Sequence, residues 1–167
     1  ENCLIVGNTA TDTTGGGLNQ STNVTLVNCT IADNSATTSG GGLSDFAGGS
    51  ITNCILWGNT APTGPQFHQL LNSPDPTYSC VQGGMDGDGN IALDPCFVGA
   101  GDYHLTGDSP CIDAGTNSPP SLLPRTDLDG NPRPTDGNDD LTYIADMGAY
   151  ESPGIAPVAV QTRSVAP

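Results

Sequence analysis

The sequence predicts an all-β protein that folds as a parallel β-helix, a solenoid of about 25 residues per coil, with an irregular Asp-, Pro- and Gly-rich C-terminal cap. Three near copies of one segment carry this prediction, and they occupy positions 2–10, 28–36 and 53–61. Glycine runs at 15–17 and 40–42 keep the same interval. Self-similarity at such a period is typical of repeat arrays, in which each repeat buries its apolar side against its neighbours.

The recurrent segments have the composition of strands. Residues 24–31 are rich in β-branched side chains and alternate weakly between apolar and polar, which favours a strand over a helix. Two or three such short strands can be accommodated in each repeat. Successive coils are therefore expected to stack about 4.8 Å apart, with like positions pairing in parallel.

Two columns of asparagine are expected at the turns, where each side chain supplies a left-handed bend and hydrogen-bonds the equivalent residue of the next coil. The first column precedes the recurrent strand and contains Asn2, Asn28 and Asn53. The second column follows that strand and contains Asn8, Asn34 and Asn59.

Strand alternation also predicts which side chains face the interior. The residues expected there are Ile5, Ile31 and Leu56. Position 30 is expected to face outwards, because Thr30 stands where the other repeats have an apolar residue.

A column of cysteines is expected to point inwards, one coil apart. Its members are Cys3, Cys29, Cys54 and Cys80. Buried thiols that act as small hydrophobes are the favoured interpretation. Disulfides between adjacent coils stay open, because a Cα separation of about 4.8 Å lies within the permitted range. A zinc site is disfavoured because the column lacks clustered C-x-x-C pairs.

Charge is distributed unevenly along the chain. Eighteen acidic residues face three Arg and no Lys, and the formal net charge is −15. Such a charge repels nucleic acid and anionic membrane surfaces, and no apolar stretch reaches the roughly 18 residues of a membrane helix. Fourteen acids lie from Asp75 to Glu151, so a divalent cation is the expected counter-charge, the alternative being a solvated acidic surface. Six cysteines in this composition predict an exported protein.

The repeat pattern loosens after Ala61, and the chain divides into three expected regions. Residues 1–82 are predicted to be coils, residues 83–151 a C-terminal cap, and residues 152–167 an extended tail. Because the sequence opens inside a repeat, the coils are expected to be the C-terminal part of a longer solenoid. A cap is expected because the last coil of a solenoid exposes strand edges and core.

Five short motifs follow one another through the predicted cap: DPCFV at 94–98, DYHL at 102–105, SPCIDAG at 109–115, DLDGNPRP at 127–134 and DMGAYE at 146–151. In this order they resemble the C-terminal region of bacterial right-handed parallel β-helix surface proteins, the group called choice-of-anchor Q proteins. The similarity covers residues 1–151. It implies an exported, right-handed β-solenoid whose closing segment precedes a cell-surface anchor.

Two candidate sites are expected in the cap. Cys96 and Cys111 lie off the repeat interval, and a disulfide between them would contribute about 3 kcal/mol, the alternative being unpaired thiols. Alternating Asp and Asn oxygens on Gly-containing loops suit a structural Ca²⁺ ion, although turn chemistry favours the same residues. The expected calcium ligands are Asp127, Asp129, Asp136, Asn138 and Asp140.

Two function classes are compatible with these features. The first is a non-catalytic structural or adhesive module, secreted or attached to the cell surface, that stacks on other copies of itself or on upstream coils and is open to end-to-end assembly. Carbohydrate is a further candidate partner. The alternative is a C-terminal fragment of a polysaccharide lyase or hydrolase whose active site lies upstream. Residues 1–61 contain four acids and no Lys or Arg, so no catalytic residue is predicted there.

Overall fold

The computed structural model describes residues 1–19, 22–69 and 73–154, and every regular element in these ranges is a β-strand. The strands are β1 (Leu4–Val6), β2 (Thr9–Ala10), β3 (Leu18–Asn19), β4 (Thr25–Val27), β5 (Thr30–Ala32), β6 (Ser35–Ala36), β7 (Leu43–Ser44), β8 (Ser50–Thr52), β9 (Ile55–Trp57), β10 (Phe67–His68), β11 (Pro76–Thr77), β12 (Cys80–Val81), β13 (Phe97–Gly99) and β14 (Asp102–Leu105). The predicted all-β class is confirmed. Most of the predicted tail, residues 155–167, lies outside the described residues.

Like positions of successive repeats pair in parallel, as predicted. The largest sheet has the strand order β1-β5-β9-β12 and sets Ile5 opposite Ile31 and Ile31 opposite Leu56. Two three-stranded parallel sheets, β3-β7-β10 and β4-β8-β11, and the pair β2-β6 repeat this arrangement. Because each of these parallel pairings joins positions about one repeat apart, the register follows the period of the sequence.

The core of the stack lies between these sheets. Its buried members come from each of the three larger sheets and from the turns between them: Leu26, Cys29, Ile31, Leu43, Phe46, Ile51, Cys54, Leu56, Phe67 and Val81. Phe46 and Phe67 pack edge to face, with ring centroids 5.9 Å apart. Glycine permits the close approach of turns: a Cβ atom on Gly17 would lie 2.6 Å from the Gly42 carbonyl oxygen. The glycine runs therefore recur because stacked backbones leave no space for a side chain there.

Left-handed residues flank the recurrent strand at both ends. Before the strand they are Asn2, Asn28 and Asn53, with φ of 48°, 50° and 53°. After the strand, the left-handed bend falls one residue earlier than expected, at Gly7, Asp33 and Gly58. Glycine and aspartate adopt this conformation at low cost. The second asparagine column is consequently left to hydrogen-bond between repeats.

Cys80 does not continue the predicted cysteine column. It lies opposite Ile55, and Ser79 takes the place opposite Cys54, whose backbone N–H donates to Ser79 Oγ at 3.0 Å. The repeat is one residue shorter here than a column of cysteines would need, and a one-residue change of register turns a strand side chain to the opposite face. The Cys80 side chain therefore packs outside the stack, in a second apolar cluster that includes Met147.

Most of the predicted cap does not cover the end of the stack. Residues 82–93 do cover the last repeat, but residues 111–152, called the lateral segment below, lie along the side of the stack. Gly148 N–H donates to the Asn53 carbonyl oxygen at 2.8 Å, and Arg133 Nη1 donates to Asn2 Oδ1 at 2.9 Å. The lateral segment thus reaches from the third repeat to the first.

Position 30 points away from the core of the stack but is not exposed. Thr30 and Ile55 are fully or almost fully buried, because the lateral segment covers them. Ala149 N–H donates to Thr30 Oγ1 at 3.0 Å. A Cβ atom on Gly148 would lie 2.7 Å from the Ile55 side chain, so glycine is needed for this close contact.

Candidate functional site

One end of the stack carries four strand edges. β1, β2, β3 and β4 each stand at the edge of their sheet and pair on one side only within the described residues. Unpaired edges present backbone N–H and C=O groups to which a further strand can hydrogen-bond. This end, called the open end below, is the candidate functional site.

Apolar side chains at the open end are less covered than their equivalents deeper in the stack. Ile5 is half-buried, whereas Ile31 and Leu56 are completely buried. Leu18 is likewise half-buried, and its partner Leu43 is completely buried. A further repeat placed on β1 and β3 would therefore bury apolar surface that water now contacts.

The second asparagine column forms a continuous chain of side-chain hydrogen bonds. Asn8 Nδ2 donates to Asn34 Oδ1 at 2.9 Å, and Asn34 Nδ2 donates to Asn59 Oδ1 at 3.0 Å. The same two oxygens also accept the backbone N–H groups of Asn8 and Asn34, both at 3.0 Å. Gln66 continues the chain by accepting from Asn59 Nδ2 at 2.7 Å.

The asparagine chain has a direction, and this direction defines what the open end lacks. Each amide oxygen accepts from the asparagine one repeat nearer the open end, so Asn8 Oδ1 accepts no hydrogen bond from the residues that the structure describes. A preceding repeat with asparagine at this position would donate its side-chain amide and its backbone N–H to Asn8 Oδ1. The open end is therefore complementary to one more repeat of the same kind.

The opposite end of the stack is covered at β12, whereas β10 and β11 stand at the edges of their sheets. Ile91 forms a parallel bridge with Cys80, and Val81 N–H donates to the Ile91 carbonyl oxygen at 2.9 Å. Met85 packs against the core cluster of the stack. Residues 82–93 thus occupy the place that a following repeat would take beside β12.

An open groove of about 580 Å³ lies at the covered end. Its lining side chains belong to Gln69, Asp75, Met85 and Asp86. Trp57, the aromatic residue of the third recurrent strand, instead packs against the second apolar cluster beside Ile55. The lining of the groove is therefore mainly polar and does not indicate a particular ligand.

The asparagines of the first column hydrogen-bond mainly to the lateral segment and only weakly to one another. Asn28 Nδ2 donates to the Asp146 carbonyl oxygen at 2.9 Å, and Asn53 Nδ2 donates to the Thr116 carbonyl oxygen at 2.9 Å. The amide contact between Asn53 and Asn28 is longer, at 3.4 Å. Asn2 Nδ2 donates to the Thr126 carbonyl oxygen at 2.5 Å. The lateral segment therefore docks along the turns that precede the recurrent strand, and this row of turns is called the docking line below.

Buried charges hold the lateral segment together. Arg133 Nε lies 2.7 Å from Glu151 Oε1, and both side chains are completely buried. Glu151 Oε1 also accepts the Asp146 N–H at 3.0 Å. Burial, followed by the negative charge of Glu151, raises the pKa of Asp146 to about 7. Burial likewise raises the pKa of Glu151, and Arg133 opposes that increase.

His104 joins the β13–β14 hairpin to the Asp127 loop. Its Nε2 atom lies 2.8 Å from Asp129 Oδ2, and its Nδ1 atom lies 2.6 Å from Asp102 Oδ1. These two hydrogen bonds raise the pKa of His104, because an imidazolium donates from both nitrogens. The ring stacks on Tyr150, with centroids 3.9 Å apart.

The expected calcium ligands lie in turns, where their side-chain oxygens already accept hydrogen bonds from backbone N–H groups. Asp127 Oδ1 accepts the N–H groups of Asp129 and Asn131 at 2.9 and 2.8 Å, and Asp127 Oδ2 accepts Glu151 N–H at 2.9 Å. Burial acts to raise the pKa of Asp127, but these donors outweigh it and the pKa is lowered.

The second acidic loop is similar. Asp136 accepts the N–H groups of Asp140 and Leu141, and Asn138 Oδ1 also accepts Asp140 N–H. Among residues 1–19, 22–69 and 73–154, no three His, Cys, Asp or Glu side chains are grouped in a way that could hold a metal ion. The calcium site stays a prediction.

The disulfide between Cys96 and Cys111 stays a prediction, since all six cysteines are free thiols in the structure. Cys96 is partly exposed, and its sulfur donates to the Asp94 carbonyl oxygen at 3.4 Å. Cys111 is completely buried and lies with Cys80 in the second apolar cluster. The strand register that moved Cys80 out of the column brings it to this position.

Comparison of the chain with protein families, with curated proteins and with solved structures found no match. In the described part of the chain, no helix is long and apolar enough to cross a membrane.

Sequence reasoning favoured charge pairing of Arg133 within the cap but did not find the lateral docking or identify buried Glu151 as the partner. One signal was present: Arg133 is one of three basic residues in a strongly acidic chain, and a rare cation among acids is a candidate for a buried pair. The direction of the asparagine chain had no signal in the sequence, because it depends on which amide atom faces the next repeat.

Proposed function

We propose that this chain is a non-catalytic structural module, secreted or attached to the cell surface, that folds as a right-handed parallel β-helix and joins a further β-helix repeat at its open end. The partner is a repeat of the same kind, supplied by upstream coils or by another copy of the chain. The observation that carries the proposal is the open end itself, where four strand edges, half-buried apolar side chains and Asn8 Oδ1 lie together.

Parallel pairing supports the β-helix. Three sheets surround one apolar core, and each pairs like positions at an offset of one repeat. Successive strands of one sheet are therefore separated by a full repeat of chain, as in the coils of a solenoid. The right hand of the coil follows from the resemblance described above and from the general rule for parallel crossovers.

The difference between the two ends supports addition at one end over an endless fibre. A head-to-tail fibre would need a free β12 edge, and Ile91 occupies that edge. An open end on one side and a covered end on the other are suited to terminating a stack. We therefore propose that the module closes a β-helix and presents its side surface to the exterior.

The acids of the stack support a structural role over catalysis. Asp33 accepts a hydrogen bond from the Tyr103 hydroxyl at 2.8 Å, and Asp45 accepts one from Ser44 at 3.1 Å. A glycosidase needs two carboxylates placed on either side of a scissile bond, and these acids serve contacts within the protein. Release of unsaturated or reducing ends from polyuronides would contradict this part of the proposal.

A chain with one added repeat tests the open end directly. Residues 28–52 are placed immediately before Asn2, replacing Glu1, so that the copy of Asn34 stands one repeat before Asn8. We expect the melting temperature to rise by several degrees, because the added repeat covers Ile5 and Leu18 and completes the asparagine chain. Hydrogen exchange at the amides of β1 is expected to slow.

The matched control carries the same added repeat with its copy of Asn34 changed to Ala and its copy of Ile31 changed to Lys. This control keeps the length and the turn glycines but removes the donor and the apolar contact. Equal melting temperatures for the added-repeat chain, its control and the original chain would reject stacking at the open end. Glycan-array binding by the original chain would assign the side surface an adhesive role, and a protein that binds no glycan would limit the module to scaffolding.

A further inference from the structure

Cys80 and Cys111 are two buried thiols at the junction between the stack and the lateral segment. Both side chains are completely buried, and they share the second apolar cluster with Ile55, Ile112 and Met147. The interaction with Cys80 is the largest cause that raises the pKa of Cys111, as expected of two neighbouring buried thiols. The pair therefore joins two regions that are distant in the sequence but packed together in the fold.

We propose that Cys80 and Cys111 form a disulfide bond that fastens the lateral segment to the last repeat. Backbone hydrogen bonds hold both residues in position. Cys80 N–H donates to the Cys54 carbonyl oxygen at 2.8 Å, and Met147 N–H donates to the Cys111 carbonyl oxygen at 3.0 Å.

Geometry favours this pair over Cys29 and Cys54. Those two residues occupy equivalent positions in the turns just before β5 and β9, between strands that pair in parallel, so their Cα–Cβ bonds are expected to point in similar directions. Their Cβ atoms are then separated by about the strand spacing of 4.8 Å, whereas a disulfide needs roughly 3.5–4.5 Å. Cys80 and Cys111 come from a strand and from an irregular segment facing it, and no such restriction applies to them.

The reaction is a thiol–disulfide exchange with a disulfide oxidant such as oxidised glutathione. One cysteine thiolate attacks the oxidant, forms a mixed disulfide and releases one glutathione thiolate. The second cysteine thiolate then displaces the other glutathione, forming the Cys80–Cys111 bond. Two protein thiols lose two electrons and two protons, and one glutathione disulfide becomes two thiols.

The exchange is expected while the chain folds rather than in the finished structure. The hydrogen bond with Cys80, and then burial, raise the pKa of Cys111 well above its ordinary value. Because the thiolate is the reactive species, the buried pair reacts slowly once the lateral segment is docked. After formation, the same burial protects the bond from reducing agents.

The test uses the intact chain, unfolded in denaturant with a reductant and refolded with or without oxidised glutathione. Free thiols are then alkylated and the protein is digested without reduction. A protease that cleaves at Asp is required, because the first Arg is residue 125 and trypsin would leave all six cysteines in one peptide. Asp residues separate every cysteine from the next along the chain.

We expect one dominant cross-linked species, with the Cys80 and Cys111 peptides joined and about 2 Da lighter than the two thiol peptides together. The oxidised protein is expected to melt about 10 °C higher than the reduced protein. Cys96→Ser is the matched control and should leave both the cross-link and the melting difference unchanged. Cys111→Ser should abolish both.

Two results would overturn the inference. One is a dominant cross-link between Cys29 and Cys54 or between Cys96 and Cys111. The other is recovery of six alkylated cysteines after oxidative refolding to a folded, β-rich protein. Both readouts come from the unmodified sequence, so they do not depend on whether a cysteine variant folds.

Discussion

The stack and the lateral segment use different interactions to hold their positions. In the stack, successive repeats bury apolar side chains and pair backbone with backbone, and the same contacts recur at each level. In the lateral segment, only short bridges and hydrogen bonds replace sheets, and a buried ion pair lies at its centre. Stability is therefore distributed along the stack but concentrated at a few groups of the lateral segment.

The Arg133–Glu151 ion pair offers the strongest test of this difference between the stack and the lateral segment. Arg133→Met leaves Glu151 buried without its cation, so we expect the free energy of unfolding to fall by about 3–5 kcal/mol at neutral pH, as measured by denaturant unfolding. The loss should be smaller at pH 5, where the isolated Glu151 can take up a proton. Arg125→Met, at an exposed position, is the matched control. Equal stability of the two variants would show that the ion pair does not hold the lateral segment.

The pH dependence of stability distinguishes the two regions next. The folded pKa of Asp146 is about 7, above the ordinary value of 3.8, so the folded chain binds an additional proton between these values. The contribution of Asp146 to stability should therefore decline as the pH rises from about 4 to 7, by roughly 4 kcal/mol in total, and stay constant above that.

Asp146→Asn removes this titration, and its stability should change less with pH than that of the original chain. Asp108→Asn, at an exposed carboxylate, serves as the control. Parallel stability curves for the original chain and Asp146→Asn between pH 4 and 7 would contradict the assignment.

A change within the stack should have a smaller effect. Asn34→Ala removes a buried amide that donates to the Ile5 carbonyl oxygen and to Asn59 Oδ1. We expect a loss of about 2 kcal/mol in the free energy of unfolding, because Ile5 and Asn59 each lose a side-chain donor and the Asn8 N–H loses its acceptor. Asn8→Ala at the open end, where the side chain is exposed, should cost less than about 1 kcal/mol. A larger loss for Asn8→Ala would reverse the assigned direction of the asparagine chain.

Removal of divalent cations should have the smallest effect. Asp127 and Asp136 already accept several hydrogen bonds within their own loops, so an ion bound there would add little to loops that are already held. We therefore expect chelation to shift the melting temperature by less than about 1 °C. A decrease of several degrees that added Ca²⁺ restores would instead support the calcium site and assign the acidic loops a metal-dependent role.

The repeats could be predicted from the sequence because their contacts are periodic. Like residues at a regular interval indicated the parallel pairing and the interior positions of Ile31 and Leu56. The period itself failed at Cys80, because the interval varies by one residue between repeats and only the structure shows which length applies there. One residue of difference placed that thiol on the other face.

The lateral segment could not be predicted in the same way, since its contacts are not periodic. The outward direction of Thr30 followed from the pattern, but its burial depends on Ala149, which is far away in the sequence. The proposed pairing of Cys111 with Cys80 depends on that same docking. Motifs identified the segment, whereas its position required long-range packing that no local pattern contains.

The docking line along Asn2, Asn28 and Asn53 has a consequence for how the array comes apart. A bare array of repeats loses its terminal units one at a time, since each unit touches only its neighbours. Here Arg133 hydrogen-bonds to the first repeat and Thr116 to the third. Unfolding of either terminal repeat therefore also breaks contacts that hold the lateral segment. Inserting or deleting one repeat would move Asn2 by about 4.8 Å relative to Arg133. The length of the lateral segment therefore fixes the number of repeats that it can span.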